Sequence, residues 1–334
     1  MKERDFYALV AYDGGNQGFR HEIVRKSTAE LPPGDVLIQV KYSSLNYKDA
    51  LSASGNHGVT KHYPHTPGID AAGRVVFSTN PTWQAGDEVL CTGYDLGMNT
   101  AGGFGQCIRV PASWVVRKPR GLSLLESMRI GTAGFTAAQC LLHLEQHGLG
   151  PDKGPILVTG ATGGVGTVAL MLLHKLGYQI IAVTGKQAEH SALLAMGVTE
   201  VLDRHEFLAD SEKQLLPARW AGAIDTLGGK PLSVAVKGAA FDGVVTCCGN
   251  AASGDLPLTV YPFILRGIHL IGVYSANCPM AKRLHIWDKL AGEWKLDLTP
   301  ICRTVQLGDL GAAIDAMLAG QSKGRWVVDL EEAV

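Results

Sequence analysis

Apolar and polar positions along this chain change period part-way through. Up to about residue 123 the apolar residues fall into short runs at 36–42, 71–76, 87–91 and 106–110, separated by Pro and Gly turns, a pattern that predicts strands closing into a barrel-like first domain. From about residue 124 a longer period alternates with short β-branched runs. The pattern predicts a helix over 133–147, then strands at 156–159, 179–183, 200–202, 223–225, 243–247 and 268–273, with helices between them. Strands that alternate with helices make a doubly wound parallel sheet. After residue 273 come a helix, a strand at 301–307, a helix at 310–318 and a strand at 325–330. That tail is too short to bury a core of its own. The expected organisation is therefore 1–123 for the first domain, 124–273 for a nucleotide-binding Rossmann domain, and 274–334 for a segment that returns to complete the first. A cleft between the two would hold ligands at the carboxyl ends of the strands.

The stretch 156–177 reads ILVTG-ATGGVG-TVALMLLHKLG. A buried strand, a glycine turn and an apolar helix follow one another there, as a dinucleotide site requires. The first position of the glycine pattern is Ala161, while Gly163 and Gly166 stand where the backbone must turn tightly. Thr162, Gly163, Gly164 and Val165 then offer free N–H groups to a pyrophosphate at the start of a helix beginning near Val165. About 20 residues later, where an NAD site places Asp or Glu against the ribose 2′-hydroxyl, the chain has Thr184-Gly185-Lys186. A hydroxyl, a backbone N–H and an ammonium suit a 2′-phosphate, so the expected cofactor is NADPH.

Composition narrows the class further. The 334 residues suit about two domains, 46% of them are apolar, and the formal net charge is -1. No basic field exists to attract nucleic acid. Apolar runs such as 168–173 are far shorter than the roughly 20 residues of a membrane span, and Met1-Lys2-Glu3-Arg4-Asp5 does not open a signal peptide. Seven cysteines with no C-x-x-C pair read as reduced thiols, and a cytoplasmic protein is expected.

Several segments carry a family resemblance over nearly the whole chain: Ser44-Leu45-Asn46-Tyr47-Lys48-Asp49, Pro67-Gly68-Ile69-Asp70-Ala71-Ala72-Gly73, Gly86-Asp87-Glu88-Val89, Gly131-Thr132-Ala133-Gly134-Phe135-Thr136-Ala137 and Phe263-Ile264-Leu265-Arg266. The chain resembles the medium-chain dehydrogenase/reductase superfamily, and within it the zinc-free quinone oxidoreductase branch that includes acrylyl-CoA reductase. The resemblance implies a GroES-like barrel domain with the Rossmann domain inserted in it. Zinc alcohol dehydrogenases carry a cysteine near the position of Asn46 or Tyr47 and a His-Glu pair where this chain has Ile69-Asp70. The segment 93–105 also lacks the cysteines of a structural zinc lobe. His57, His62 and His65 crowd one loop but lack thiolate or adjacent carboxylate partners, so no metal is expected.

Without a Lewis acid to hold an alkoxide, conjugate reduction fits better than alcohol oxidation. The expected substrate is an electrophilic alkene, acrylyl-CoA or another short enoyl thioester. A quinone or an enal is the alternative, and a non-catalytic NADPH-binding protein is the reading from another class. The resemblance makes Tyr47 a proton donor or cofactor contact, and Asn46 a group for the nicotinamide ribose or the substrate oxygen. It puts Leu265, Gly272, Val273 and Tyr274 along the nicotinamide and Lys323, Gly324 and Arg325 near the cofactor. Arg266 is a candidate for CoA phosphates or for a structural ion pair. Strand 268–273 should form a sheet edge that a second copy covers, giving a homodimer.

Overall fold

The computed structural model describes residues 3–331. The chain forms two compact units, one of residues up to 132 with 276–292 and those from 297 on, the other of 133–275 with 293–296. The passage between units thus falls at 132/133, not at 123/124, and the return begins at 276.

In the first unit β1 (Asp5–Asp13) and β2 (Phe19–Ser27) make an antiparallel ribbon. The sequence pattern did not predict this pair, because Arg20, His21, Glu22, Arg25 and Lys26 dilute the apolar alternation of β2. Then come β3 (Val36–Leu45), α1 (Tyr47–Ala53), β4 (Asp70–Ser78), β5 (Glu88–Thr92), β6 (Cys107–Val110) and β7 (Val115–Arg117). Helix α2 (Leu124–Gln146) starts nine residues before the expected 133, and Gly131 breaks it with φ 50° and ψ −161°.

The second unit continues with β8 (Ile156–Thr159), α3 (Gly164–Lys175), β9 (Ile180–Thr184), α4 (His190–Ala195), β10 (Glu200–Asp203) and α5 (Arg204–Leu208). It closes with β11 (Trp220–Asp225), α6 (Gly229–Lys237), β12 (Ala239–Cys247), α7 (Tyr261–Arg266) and β13 (His269–Gly272). Its six strands lie in the order β10-β9-β8-β11-β12-β13, all parallel. Every residue of β8 and β9 is buried, which explains why these strands read as unbroken apolar runs. The order reverses beside β8, and that switch point is where such sheets take their ligands.

The return segment supplies α8 (Met280–Ala291), β14 (Cys302–Gln306), α9 (Leu310–Leu318) and β15 (Arg325–Asp329). Strand β15 pairs with β3 in antiparallel register, Trp326 opposite Leu45, and β14 extends the sheet beyond it. Val305, Leu310, Ile314 and Val328 share one apolar core with Val36, Ile38 and Leu45. The tail therefore completes the first unit's sheet.

Candidate functional site

The sequence-predicted site residues divide between the two units. In the second unit, β8 ends at Thr159 and the chain turns through Gly160 to Gly163, whose residue caps α3 with no side-chain acceptor. The first N–H groups of a helix have no intrahelical partner, so those at the start of α3 face outward as anion donors. The turn is tight. A Cβ on Gly166 would lie 2.3 Å from the Gly160 carbonyl oxygen and 2.9 Å from the Ala161 Cα, so only glycine lets α3 dock onto the turn. Thr162, Gly164 and Val165 are partly exposed and Gly163 is exposed, consistent with a cradle open to a pyrophosphate.

A pocket beside this turn is lined by Gly160, Thr162, Thr184, Lys186 and Arg204, among others. Thr184 ends β9 with its hydroxyl accepting the Lys186 backbone N–H at 3.1 Å. The Thr184 hydroxyl thus spends an acceptor position on the Lys186 main chain while its own proton stays available. Arg204 is the residue the sequence reading missed. It opens α5 directly after β10, whose Asp203 pairs with Thr184 in the ladder. Its guanidinium packs on Gly185, where a Cβ would come within 2.6 Å of the Arg204 Cζ. The signal was present as a cation two strands beyond the glycine turn, but only the β9–β10 register brings it to Gly185. Asp203 spends its carboxylate on the His205 N–H at 2.7 Å, and this bond holds its pKa below the usual carboxylate range.

Further along the carboxyl edge, Asp225 ties two strand ends together. It accepts the Thr159 hydroxyl at 2.6 Å and the Gly228 N–H at 2.7 Å. Burial pushes its pKa up to about 6 against those bonds. Leu265 and Tyr274 are 55% and 60% exposed, Gly272 is exposed, and Val273 is buried with its N–H on the Cys247 carbonyl. Arg266 is structural, since its guanidinium donates to the Lys237, Ala239 and Leu216 carbonyls.

In the first unit a buried polar network surrounds Asp70. One carboxylate oxygen of Asp70 accepts from Asn46 Nδ2 at 2.9 Å, from the Thr132 N–H at 2.8 Å and from the Ser44 hydroxyl at 2.5 Å; the other accepts the Thr132 hydroxyl at 2.6 Å. Asp49 caps α1 by accepting the Asn46 N–H at 2.8 Å, and it accepts the Ile69 N–H at 2.8 Å. The Asn46 side-chain oxygen Oδ1 accepts from Arg325 Nη1 at 3.1 Å. Asn46 was expected at the ribose or the substrate oxygen. Its amide is instead consumed inside the unit at both ends, so its role there is to fix the start of α1. Arg325 was expected at the cofactor, yet it is 2% exposed and also donates to the Arg129 carbonyl at 3.0 Å. Gly324 has φ +64° and a Cβ there would meet the Ile301 carbonyl oxygen at 2.2 Å, while Lys323 is exposed. Tyr47, the first residue of α1, is 45% exposed and its hydroxyl bonds to no described residue. His57 and His62 are exposed and His65 is buried. Among the described residues no three His, Cys, Asp or Glu side chains converge as a metal site would need.

Two family signatures match the chain, the alcohol dehydrogenase GroES-like domain over residues 32–120 and zinc-binding dehydrogenase over residues 164–290. The chain is 43% identical over 306 residues to Bacillus subtilis YhfP, which carries the provisional name of a quinone oxidoreductase; the match covers 91% of this chain and 93% of that one. It is 40% identical over 327 residues to the acrylyl-CoA reductase AcuI of Ruegeria pomeroyi, covering 97% and 99%. The crystal structure of Escherichia coli YhdH with bound NADPH superposes with a TM-score of 0.94 at 40% identity, over 97% of this chain and 100% of that one. That of Bacillus subtilis YhfP with NAD bound gives 0.94 at 41%, over 98% and 100%.

The Asp70 network has a consequence for stability. Burial, and then the charge of Asp70, push the Asp49 pKa from 3.8 up to about 7, against the N–H bonds that favour the carboxylate. Between those values the folded protein holds a proton that the unfolded chain has released, so raising the pH through that window destabilises the fold. Asp49→Asn should flatten the pH dependence of the urea midpoint between about pH 4 and 7. A slope identical to that of the parent would contradict this account.

Proposed function

The chain belongs to the medium-chain dehydrogenase/reductase superfamily, and from that premise we propose that it is an NADPH-dependent reductase of activated carbon–carbon double bonds, acting on acrylyl-CoA or another short enoyl thioester. The observation that carries the reading is the cationic pocket at the ends of β9 and β10, where Lys186 and Arg204 flank the Thr184 hydroxyl beside the α3 N-terminus. When bound there, NADPH supplies a hydride to the β-carbon of the alkene. Arg204 and Lys186 hold the 2′-phosphate, and the N–H groups of Thr162, Gly164 and Val165 hold the pyrophosphate, that of Gly163 being bonded to the Gly160 carbonyl at 2.9 Å. Leu265, Gly272, Val273 and Tyr274 border the nicotinamide side of the same unit. Tyr47 gives its proton to the α-carbon and, being 45% exposed, regains one from water. The AcuI relative supports the thioester and the YhfP relative supports a quinone as the second reading.

The residues at the family's zinc positions do not fit a zinc ion. Asn46 presents an amide already held by Arg325, Ile69 is buried and apolar, and Asp70 has a donor on each oxygen. The reaction accordingly runs without metal in this proposal. An assembly of two copies is part of it too, because β13 lies at the end of the strand order and α7 exposes Val260, Tyr261 and Ile264 close by in the chain. All seven cysteines are free thiols, which supports a reducing, cytoplasmic setting.

Steady-state kcat/KM across acyl-CoA thioesters, enals and quinones should be highest for a short enoyl-CoA; a higher value for a quinone would move the assignment to the second reading. NADPH should bind more tightly than NADH, and Arg204→Ala or Lys186→Ala should weaken NADPH selectively by about 1–3 kcal/mol. Equal dissociation constants for the two cofactors in the parent would refute the pocket's role. Dialysis against a strong chelator should leave the rate unchanged, and stoichiometric zinc lost together with activity is the contrary result. Light scattering at micromolar concentration should give twice the chain mass, where a monomer mass would remove the edge pairing.

A further inference from the structure

A fully buried guanidinium needs a reason, because taking a cation out of water costs of order several kcal/mol unless it is paired and hydrogen-bonded. Arg325 opens β15, and the ladder that sets Trp326 against Leu45 carries it to the residue that follows β3. That residue is Asn46, the N-cap of α1. The guanidinium donates through Nη1 to the Asn46 side-chain oxygen Oδ1 at 3.1 Å and through Nε to the Arg129 main-chain carbonyl at 3.0 Å. On its other side the Asn46 amide donates to Asp70 at 2.9 Å and to Asp49 at 3.1 Å. With a cation at its oxygen and two carboxyl oxygens at its nitrogen, the amide has one stable orientation. Tyr47 follows directly, and its phenol has no described partner to aim it. Its direction is therefore set at its root, by the first turn of α1.

We infer that Arg325 is a positioning residue for Tyr47: the guanidinium, anchored on β15, locks the Asn46 amide and with it the helix start from which the phenol projects. This rests on the reading of Tyr47 as the proton donor. Lysine keeps the charge but has one terminal nitrogen, which cannot serve both the Asn46 and Arg129 oxygens as the planar fork does. A misplaced donor lowers the rate of proton transfer while cofactor binding, made by the other unit, is untouched.

A double-mutant cycle in the full-length enzyme tests the inference. Arg325→Lys should lower kcat about tenfold with the NADPH dissociation constant within about twofold of the parent. In a Tyr47→Phe background the same substitution should change kcat by less than about twofold, since the group it aims has gone. Asn46→Ala cuts the same link without removing a buried charge, and it should show the same pattern even if Arg325→Lys fails to fold. Equal losses in both backgrounds would overturn the positioning role while leaving Tyr47 as the donor. An unchanged kcat for Tyr47→Phe alone would overturn the donor reading and this inference with it.

Discussion

The carboxylate of Asp70 is the interaction on which the first unit depends. It accepts from Ser44 on β3, from the cap residue Asn46 and from both donors of Thr132. Two chain segments distant in sequence, 44–46 and 132, thus meet on one buried acid at the head of β4. A buried carboxylate that lost these donors would carry its full desolvation cost, so the donors are held in place by the penalty for leaving. Gly131 is shaped by the same demand. Its backbone passes so close that a Cβ would lie 2.5 Å from the Ser44 Oγ and 2.8 Å from an Asp70 oxygen, and its φ of 50° turns the chain so that Thr132 can donate. The break inside α2 is the geometric cost of supplying Asp70.

The second unit solves a different problem by simpler means. Its binding edge is built from main-chain groups at strand ends, where backbone N–H groups of α3 and the turn before it carry the partial positive charge. The side chains of Thr184, Lys186 and Arg204 line the pocket beside that edge. Asp225 holds the ends of β8 and β11 together without presenting a charge to the edge, since its oxygens are taken by Thr159, Leu227 and Gly228. A ligand with several phosphates meets fixed dipoles and two cations there.

The two units also differ in how far their sequences could be read. For the second unit, local chemistry suffices: apolar runs, a glycine turn and a helical stripe occur in the order in which they are used, and the strands fall close to the expected positions. The return of the tail to the first unit was equally legible, because a short helix and two strands cannot bury a core alone. The ribbon of β1 and β2 was not legible, since its second strand is half polar. Asn46 and Arg325 were legible as residues that matter but not as to why. Motif placement puts them near chemistry, whereas their contacts turn them inward.

What the sequence by itself determined is therefore everything carried by periodicity and by neighbours along the chain: the parallel sheet, the glycine turn onto α3, the hydroxyl and ammonium at Thr184 and Lys186 in place of an acid, and the absence of cysteine, histidine and glutamate at positions 46, 47, 69 and 70. Tertiary structure decided what depends on register between segments far apart. Only the pairing of β10 with β9 brings Arg204 onto Gly185, and only the pairing of β15 with β3 brings a guanidinium from position 325 to the amide of Asn46. A charge in a sequence has no address until a ladder gives it one, and burial then decides whether it faces a ligand or holds the frame.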